Sequence, residues 1–185
     1  MYWRPTEQSR HLRPRPVAGE VKSRLSPSLP PALALDLYRA MLADTIESAS
    51  ESAAGTVALY WASDPADRSG FPIPGGVTVR RQRGTDLGER LSAAFAEMLA
   101  DATDRAVVIG ADCPDIGPAV IREAFAALGE HDLVLGPARD GGYYLIGLCR
   151  PAPALFGGVS WGTDRVLQET LERAERGGLR VATLG

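Results

Sequence analysis

Short apolar segments of strand length alternate with segments of helical spacing along most of this chain, and no other feature of the sequence limits the fold as strongly. The clearest strand candidate is the uninterrupted apolar run 106–110 (AVVIG), which is typical of a strand buried on both faces. The clearest helix candidate is 87–100, where Leu87, Leu91 and Phe95 fall on one stripe. This alternation predicts a three-layer α/β fold, in which a mostly parallel sheet is flanked by helices.

The remaining segments follow the same alternation. Helical spacing predicts further helices over residues 32–49, 118–128 and 164–175. Apolar runs predict further strands over residues 56–61, 77–80, 132–135, 143–149 and 179–184. Residues 1–15 are polar and contain prolines, so we expect an irregular N-terminal arm, followed by a single domain over residues 16–185.

Charge and hydropathy exclude several classes of function. The formal net charge is −3, which offers no basic footprint for nucleic acid. No apolar run approaches the length of a membrane-spanning helix, and no apolar stretch follows the N-terminal arginines, so we expect neither a membrane segment nor a signal peptide. The two cysteines, Cys113 and Cys149, suit a reducing compartment, and we expect a cytoplasmic protein.

A carboxylate follows the most apolar strand candidate. In residues 106–116 (AVVIGADCPDI) the strand runs directly into Asp112, and ligands of open α/β sheets bind at the carboxyl ends of strands. Carboxylate oxygens are suited to holding Mg²⁺ or Mn²⁺ against a diphosphate. We therefore predict that Asp112 is a catalytic metal ligand. The alternative is a helix cap, which suits Asp115 better because Asp115 lies nearer the predicted helix at 118–128.

A second candidate site lies in residues 136–148 (GPARDGGYYLIGL). Asp140 precedes Gly141 and Gly142, and a glycine pair allows a tight turn and a close approach of backbone to ligand. Asp140 can join Asp112 at the metal or orient the acceptor. The alternative is a simple hairpin turn, because Asp-Gly is a strong hairpin signal. The sequence leaves both interpretations open.

The segment 16–27 (PVAGEVKSRLSP) is a candidate phosphate loop. Gly19 allows backbone N–H groups to face an anion, and Lys22 and Arg24 add two cations. The segment lacks the GK[ST] signature of a P-loop. A basic loop that lies in solvent is the alternative.

Three further features are weaker. Asp86 and Glu89 of DLGER are explained by capping of the helix that begins at residue 87. Trp161 precedes the last predicted helix and can stack on a base or sugar, although a tryptophan at the edge of the core is more common. Cys113 has no histidine near it in sequence that could serve as its base, so we do not expect a nucleophile there.

Five motifs in order resemble a known family. KSRLSP, DLGERLSAAF, IGADCPDI, GPARDGGYYLIGL and WGTDRVL are similar to the bacterial transferase 1, radical-SAM/selenodomain-associated family, also described as arsenosugar-biosynthesis-type glycosyltransferases. The resemblance covers about residues 16–184. It implies the nucleotide-diphospho-sugar transferase fold of the GT-A type. More distantly, it implies similarity to 2-phospho-lactate guanylyltransferases and to molybdenum-cofactor nucleotidyltransferases.

The resemblance also implies roles for individual residues. Gly19, Lys22 and Arg24 would lie in the nucleotide and phosphate loop, and Asp112 would be the metal ligand. Asp140 would lie across the site, near the acceptor or the metal. The acceptor side would be formed by Gly141, Gly142, Trp161 and Thr163.

The chain departs from the family pattern at both ends. Relatives open with a hydrophobic strand, whereas the matching stretch here is SRHLRPRP, with Pro14 in place of a lysine. Because proline lacks the N–H that a sheet ladder needs, we expect the first strand to be degenerate. Relatives also continue into an Asp-rich segment after the last strand, whereas this sequence ends at Gly185, so we expect a second metal-proximal aspartate to be missing.

These observations lead to one hypothesis and two alternatives. The hypothesis is a metal-dependent glycosyltransferase that uses a nucleotide-sugar donor and a small-molecule acceptor. The first alternative is a nucleotidyltransferase similar to 2-phospho-lactate guanylyltransferase. The second is a non-catalytic remnant that lost its activity with its first strand.

Overall fold

The computed structural model describes residues 29–62, 71–100, 105–111 and 113–185. Four α-helices, one 3-10 turn and six strands lie in these ranges. The helices are α1 (Pro31–Glu51), α2 (Leu87–Met98), α3 (Pro118–Ala127) and α4 (Val166–Arg176), and the 3-10 turn is Pro153–Leu155. The strands are β1 (Val57–Trp61), β2 (Val77–Arg81), β3 (Ala106–Ile109), β4 (Leu133–Pro137), β5 (Tyr143–Leu148) and β6 (Val181–Thr183).

The strands form two groups. β1 and β2 pair in parallel, and the other four are ordered β3-β5-β4-β6. In the second group β5 is antiparallel to both of its neighbours, and β4 is parallel to β6, so β3, β4 and β6 run in one direction. The prediction of a mostly parallel sheet is confirmed, with β5 as the reversed strand.

Helices cover both faces of the strands. Successive side chains of β1 and β3 point to opposite faces of the strands. Tyr60 and Val108 point to the face covered by α2, where they belong to the same apolar cluster as Phe95. The opposite side of β3 packs against α3, and the opposite side of β1 packs against α1. α4 contributes Ala174 to the cluster on the α2 side. The three-layer α/β architecture is therefore confirmed.

The predicted elements all occur, with ends that differ by at most two residues. Helix ends follow local chemistry: α1 begins at Pro31, where proline needs no donor, and α2 begins after Asp86, whose carboxylate accepts a hydrogen bond from the Glu89 N–H at 2.8 Å. The Glu89 carboxylate in turn accepts a hydrogen bond from the Thr85 N–H at 2.7 Å. The capping role predicted for Asp86 and Glu89 is confirmed.

The alternative of a helix cap, which the sequence favoured for Asp115 over Asp112, does not hold for Asp115. The N-cap of α3 is Gly117, no side-chain hydrogen bond caps it, and the side chain of Asp115 is exposed. Pro118 occupies the first turn of α3 and removes one of the donors that a cap would satisfy.

No helix in the part of the chain that the structure describes has both the length and the apolar character required to cross a bilayer.

Candidate functional site

A pocket of about 150 Å³ lies where β3 ends. One wall is the carboxyl end of β3 with Gly110 and Cys113. Another part of the wall is the turn between β4 and β5, with Asp140, and the first residues of β5. Trp161 and the first turns of α2 and α4 complete the lining. The pocket therefore occupies the edge of the sheet at which ligands of α/β proteins bind.

The turn that carries Asp140 is a hairpin held at several points. The Ala138 N–H donates to the Gly142 carbonyl at 2.9 Å, and the Gly142 N–H donates to Asp140 Oδ1 at 3.1 Å. Gly141 has φ +80°, and a Cβ at this position would collide with the backbone of Asp164. The hairpin interpretation is thus correct for the backbone, and the same turn presents Asp140 to the pocket.

The tip of this hairpin is joined to α4. The Leu167 N–H, in the first turn of the helix, donates to the Gly141 carbonyl at 2.9 Å. This bond satisfies an N–H that has no partner within its own helix. Asp140 is therefore positioned by the packing of Gly141 against α4 as well as by its own turn.

Trp161 lies on a short loop that a carboxylate fixes. Glu169 of α4 accepts hydrogen bonds from the Ser160 N–H at 2.8 Å and from the Ser160 hydroxyl at 2.9 Å. The Ser160 N–H, which has the larger effect, and the Ser160 hydroxyl lower the pKa of Glu169 below its ordinary range. The carboxylate is therefore ionised at neutral pH. The Thr163 hydroxyl donates to the Ser160 carbonyl at 2.8 Å, which closes the loop from the other side.

Gly88 makes room for Trp161 against the start of α2. A Cβ on Gly88 would lie 2.5 Å from the Phe156 carbonyl oxygen and 2.8 Å from Trp161 Nε1. Trp161 is half-buried, packs against the largest apolar cluster and also lines the pocket. Trp161 therefore lies at the edge of the core and also forms part of the cavity wall. Its stacking on a base or sugar stays a prediction.

Sequence reasoning missed the two tyrosines that open β5. Tyr143 and Tyr144 both line the pocket, and burial raises the pKa of the Tyr144 hydroxyl, which therefore remains protonated at neutral pH. Two adjacent residues of one strand normally point to opposite faces, so strand periodicity alone gave no reason to place both at one site. The signal available in the sequence was their position directly after the Asp-Gly-Gly turn.

The predicted site residues fall into three sets. Asp140 and Trp161 line the same pocket. Gly141, Gly142 and Thr163 lie beside these two in the turn and in the Trp161 loop, and they are not among the lining residues. Gly19, Lys22, Arg24 and Asp112 lie outside the described residues. Cys113, which follows Asp112 in sequence, lines the pocket.

The described residues contain no group of three or more histidine, cysteine, aspartate or glutamate side chains that could hold a metal ion. Asp140 is the single carboxylate among the described lining residues. Mg²⁺ is commonly bound by one or two carboxylates together with substrate phosphates, so this carboxylate fits part of such a site and not a complete protein cage.

Comparison with solved structures shows what this fold is similar to. A protein of Desulfovibrio desulfuricans G20, provisionally named a nucleotide-diphospho-sugar transferase, is 33% identical, and the alignment covers 91% of this chain and 75% of that protein with a TM-score of 0.84. Rv0371c of Mycobacterium tuberculosis H37Rv is 16% identical, with a TM-score of 0.54 over 78% of this chain and 72% of that chain, and shows the fold alone. A manganese complex of Rv0371c aligns with a TM-score of 0.55 at the same identity, covering 78% of this chain and 74% of that chain.

Sequence comparison gives a family. No curated protein matches the chain. Residues 45–163, a stretch that includes β1 to β5 and reaches the Trp161 loop, match the family DUF2064, described as uncharacterized protein conserved in bacteria. Because this match spans more than half of the chain, the protein belongs to the DUF2064 family.

Proposed function

We propose that this protein is a divalent-metal-dependent glycosyltransferase that transfers a sugar from a nucleotide-sugar donor to a small-molecule acceptor. The observation that carries the proposal is the pocket at the carboxyl end of β3, which Asp140 and Trp161 both line, in a fold shared with a provisionally named nucleotide-diphospho-sugar transferase. The crystallisation of Rv0371c with manganese supports a divalent cation in proteins of this fold.

The lining of the pocket suits a nucleotide-sugar in two ways. Trp161, Tyr143 and Tyr144 provide flat apolar surfaces, on which a base or a sugar ring can stack. The protonated Tyr144 hydroxyl can donate a hydrogen bond to a sugar or phosphate oxygen without adding negative charge to the site.

In the proposed reaction Asp140 and Asp112 would hold Mg²⁺ or Mn²⁺, and Gly19, Lys22 and Arg24 would bind the phosphates. The bound cation supplies neutralisation of the charge that develops on the departing nucleoside diphosphate. Trp161, with Gly141, Gly142 and Thr163 beside it, would orient the acceptor, so that the protein contributes mainly position and fixed charge.

Product analysis separates glycosyl transfer from nucleotidyl transfer. The protein is incubated with Mn²⁺ and a panel of nucleotide-sugars or nucleoside triphosphates, together with a mixture of small-molecule acceptors. Acceptor-dependent release of a nucleoside diphosphate, lost in Asp140→Asn, is the expected result. Release of pyrophosphate from a triphosphate would contradict glycosyl transfer, and no turnover by folded protein would favour a non-catalytic member of the family.

A further inference from the structure

The pocket at the end of β3 changes in character from its floor to its rim. Four aliphatic residues of the lining are no more than 3% exposed and form the floor: Leu91, Val108, Ile146 and Val166. Asp140 also lines the pocket but is exposed, so its carboxylate lies on the solvent side. A ligand that enters the pocket therefore meets a carboxylate at one end and hydrocarbon side chains at the other.

The walls between floor and rim are largely apolar as well. They include the half-buried residues Cys113, Tyr143, Tyr144 and Trp161. Seven of the fourteen described lining residues are aliphatic and three are aromatic, so a ligand buries mostly apolar surface on binding. Removing apolar surface from water is favourable in proportion to its area.

The floor is poorly suited to polar groups. Its four side chains have no atom that donates or accepts a hydrogen bond. The Gly110 N–H donates to the Tyr144 carbonyl at 3.0 Å, and the alternation of an antiparallel ladder then makes Val108 and Ile146 a hydrogen-bonded pair. The backbone groups of these two floor residues are therefore used within the sheet. The hydroxyls of a sugar, or the edge of a nucleobase, would lose water there without gaining partners.

The volume of the pocket limits what fits on this floor. It is about 150 Å³, and a cavity of about that volume lined by leucine, isoleucine and phenylalanine holds one benzene molecule. Drug-sized ligands occupy clefts of about 300–1,000 Å³. A whole nucleotide-sugar therefore extends beyond this pocket, and the floor has room for one ring-sized hydrocarbon group.

We propose that the acceptor is an uncharged alcohol, with a hydrocarbon end of about one ring in this pocket and its hydroxyl at the Asp140 rim. The acceptor role rests on the proposed function, whereas the selectivity of the pocket is a property of the residues themselves. An anionic acceptor would bring its negative charge close to that of Asp140. A polyol such as glycerol would leave hydroxyls on the floor without partners.

The test is NMR titration of the full chain, without donor or metal, using benzyl alcohol, benzoate and glycerol. Benzyl alcohol should bind saturably and shift the methyl signals of Leu91, Val108, Ile146 and Val166. Benzoate has the same ring and a negative charge, and should bind at least tenfold more weakly. Glycerol should not saturate. The methyl signals of the exposed Leu33 and Leu37 of α1, which are not among the lining residues, should not move.

Two variants test the floor and the rim separately. Ala138 is a half-buried lining residue, so Ala138→Leu should fill part of the pocket and weaken benzyl alcohol binding at least tenfold. Ala154→Leu is the matched control, because Ala154 is exposed in the 3-10 turn and is not among the lining residues. Asp140→Asn keeps the Oδ1 that accepts from the Gly142 N–H and removes the charge. It should reduce the preference for benzyl alcohol over benzoate at least threefold, and it decides alone if Ala138→Leu does not fold.

The proposal is overturned if benzyl alcohol does not bind to the folded native protein, or if benzoate or glycerol binds as tightly. It is also overturned if a nucleotide-sugar that binds the protein displaces benzyl alcohol, because the donor would then occupy the pocket. Nucleotide-sugar binding without benzyl alcohol binding would refute this acceptor class and leave the proposed function intact. Benzyl alcohol binding without any nucleotide-sugar binding would refute the proposed function and, with it, the acceptor role.

Discussion

Gly141→Ala tests whether the hairpin tip is fixed as the structure shows. The native residue has φ +80°, where a residue with a Cβ costs about 1–2 kcal/mol. The added methyl group also collides with the backbone of Asp164. That backbone is held near Gly141, because the N–H of Leu167, three residues later, is bonded to the Gly141 carbonyl. Overpacking of this kind adds about 1–3 kcal/mol. We expect a total loss of about 3 kcal/mol.

The loss is measured by urea and thermal unfolding. For a domain of this size about 3 kcal/mol corresponds to a fall in Tm of roughly 6–12 °C. Gly157→Ala is the matched control, because its Cβ meets nothing within 4 Å and its φ is not in the left-handed region, so we expect a change within about 0.5 kcal/mol. The reasoning is refuted if Gly141→Ala is as stable as the control, since neither the strain nor the contact with Asp164 would then be real.

Three further changes have expected results. Phe95→Ala removes a fully buried ring that stacks on Phe156 with centroids 5.9 Å apart, and should lower the free energy of unfolding by about 3–5 kcal/mol; a loss below about 1 kcal/mol would contradict the packing. Trp161→Ala should weaken nucleotide-sugar binding by about 1–3 kcal/mol in calorimetry, by analogy with base stacking on aromatic side chains, and unchanged affinity would remove this residue from the site. Because the folded pKa of Glu169 is depressed, its stabilising effect is complete above the unfolded value of roughly 4.3 and is lost as pH falls through the folded pKa. Stability should therefore fall more steeply below about pH 4.3 in native protein than in Glu169→Gln, and parallel pH profiles would contradict this role.

The sequence predicted the elements well because their signals are local. Leu87, Leu91 and Phe95 recur at helical spacing, and all three are buried against the strands. The run 106–110 is apolar at every position, and β3 packs against helices on both of its faces. Periodicity reports on the environment of each segment, which is why these elements could be read from the chain alone.

The order and direction of the strands could not be read in the same way. β5 lies between β3 and β4 and is reversed relative to both, and this arrangement depends on the short turn after β4 and on pairing with a strand distant in sequence. An Asp-Gly-Gly turn predicts a hairpin, but it does not state which other strand the hairpin joins.

The candidate site was only partly visible for a related reason. Asp140 and Trp161 were recognisable as unusual residues next to predicted element ends, and they line one pocket. The residues that hold these two side chains in position were not recognisable from the sequence. Gly88 matters because Trp161 lies against it, and Glu169 matters because it holds Ser160. Such contacts do not follow helix or strand spacing and therefore leave no local pattern in the sequence.

The most direct test of the proposed function is calorimetric titration of the full chain with nucleoside diphosphates and nucleotide-sugars, with and without Mn²⁺ or Mg²⁺. The same titration is made on Asp112→Ala and on Asp140→Asn, with Gly157→Ala as a control that is not among the pocket-lining residues. We predict metal-dependent binding of one nucleotide-sugar that both aspartate variants lose and the control retains. Absence of nucleotide binding by the folded native protein would contradict the account. So would binding by Asp112→Ala and Asp140→Asn with the same affinity as the native protein.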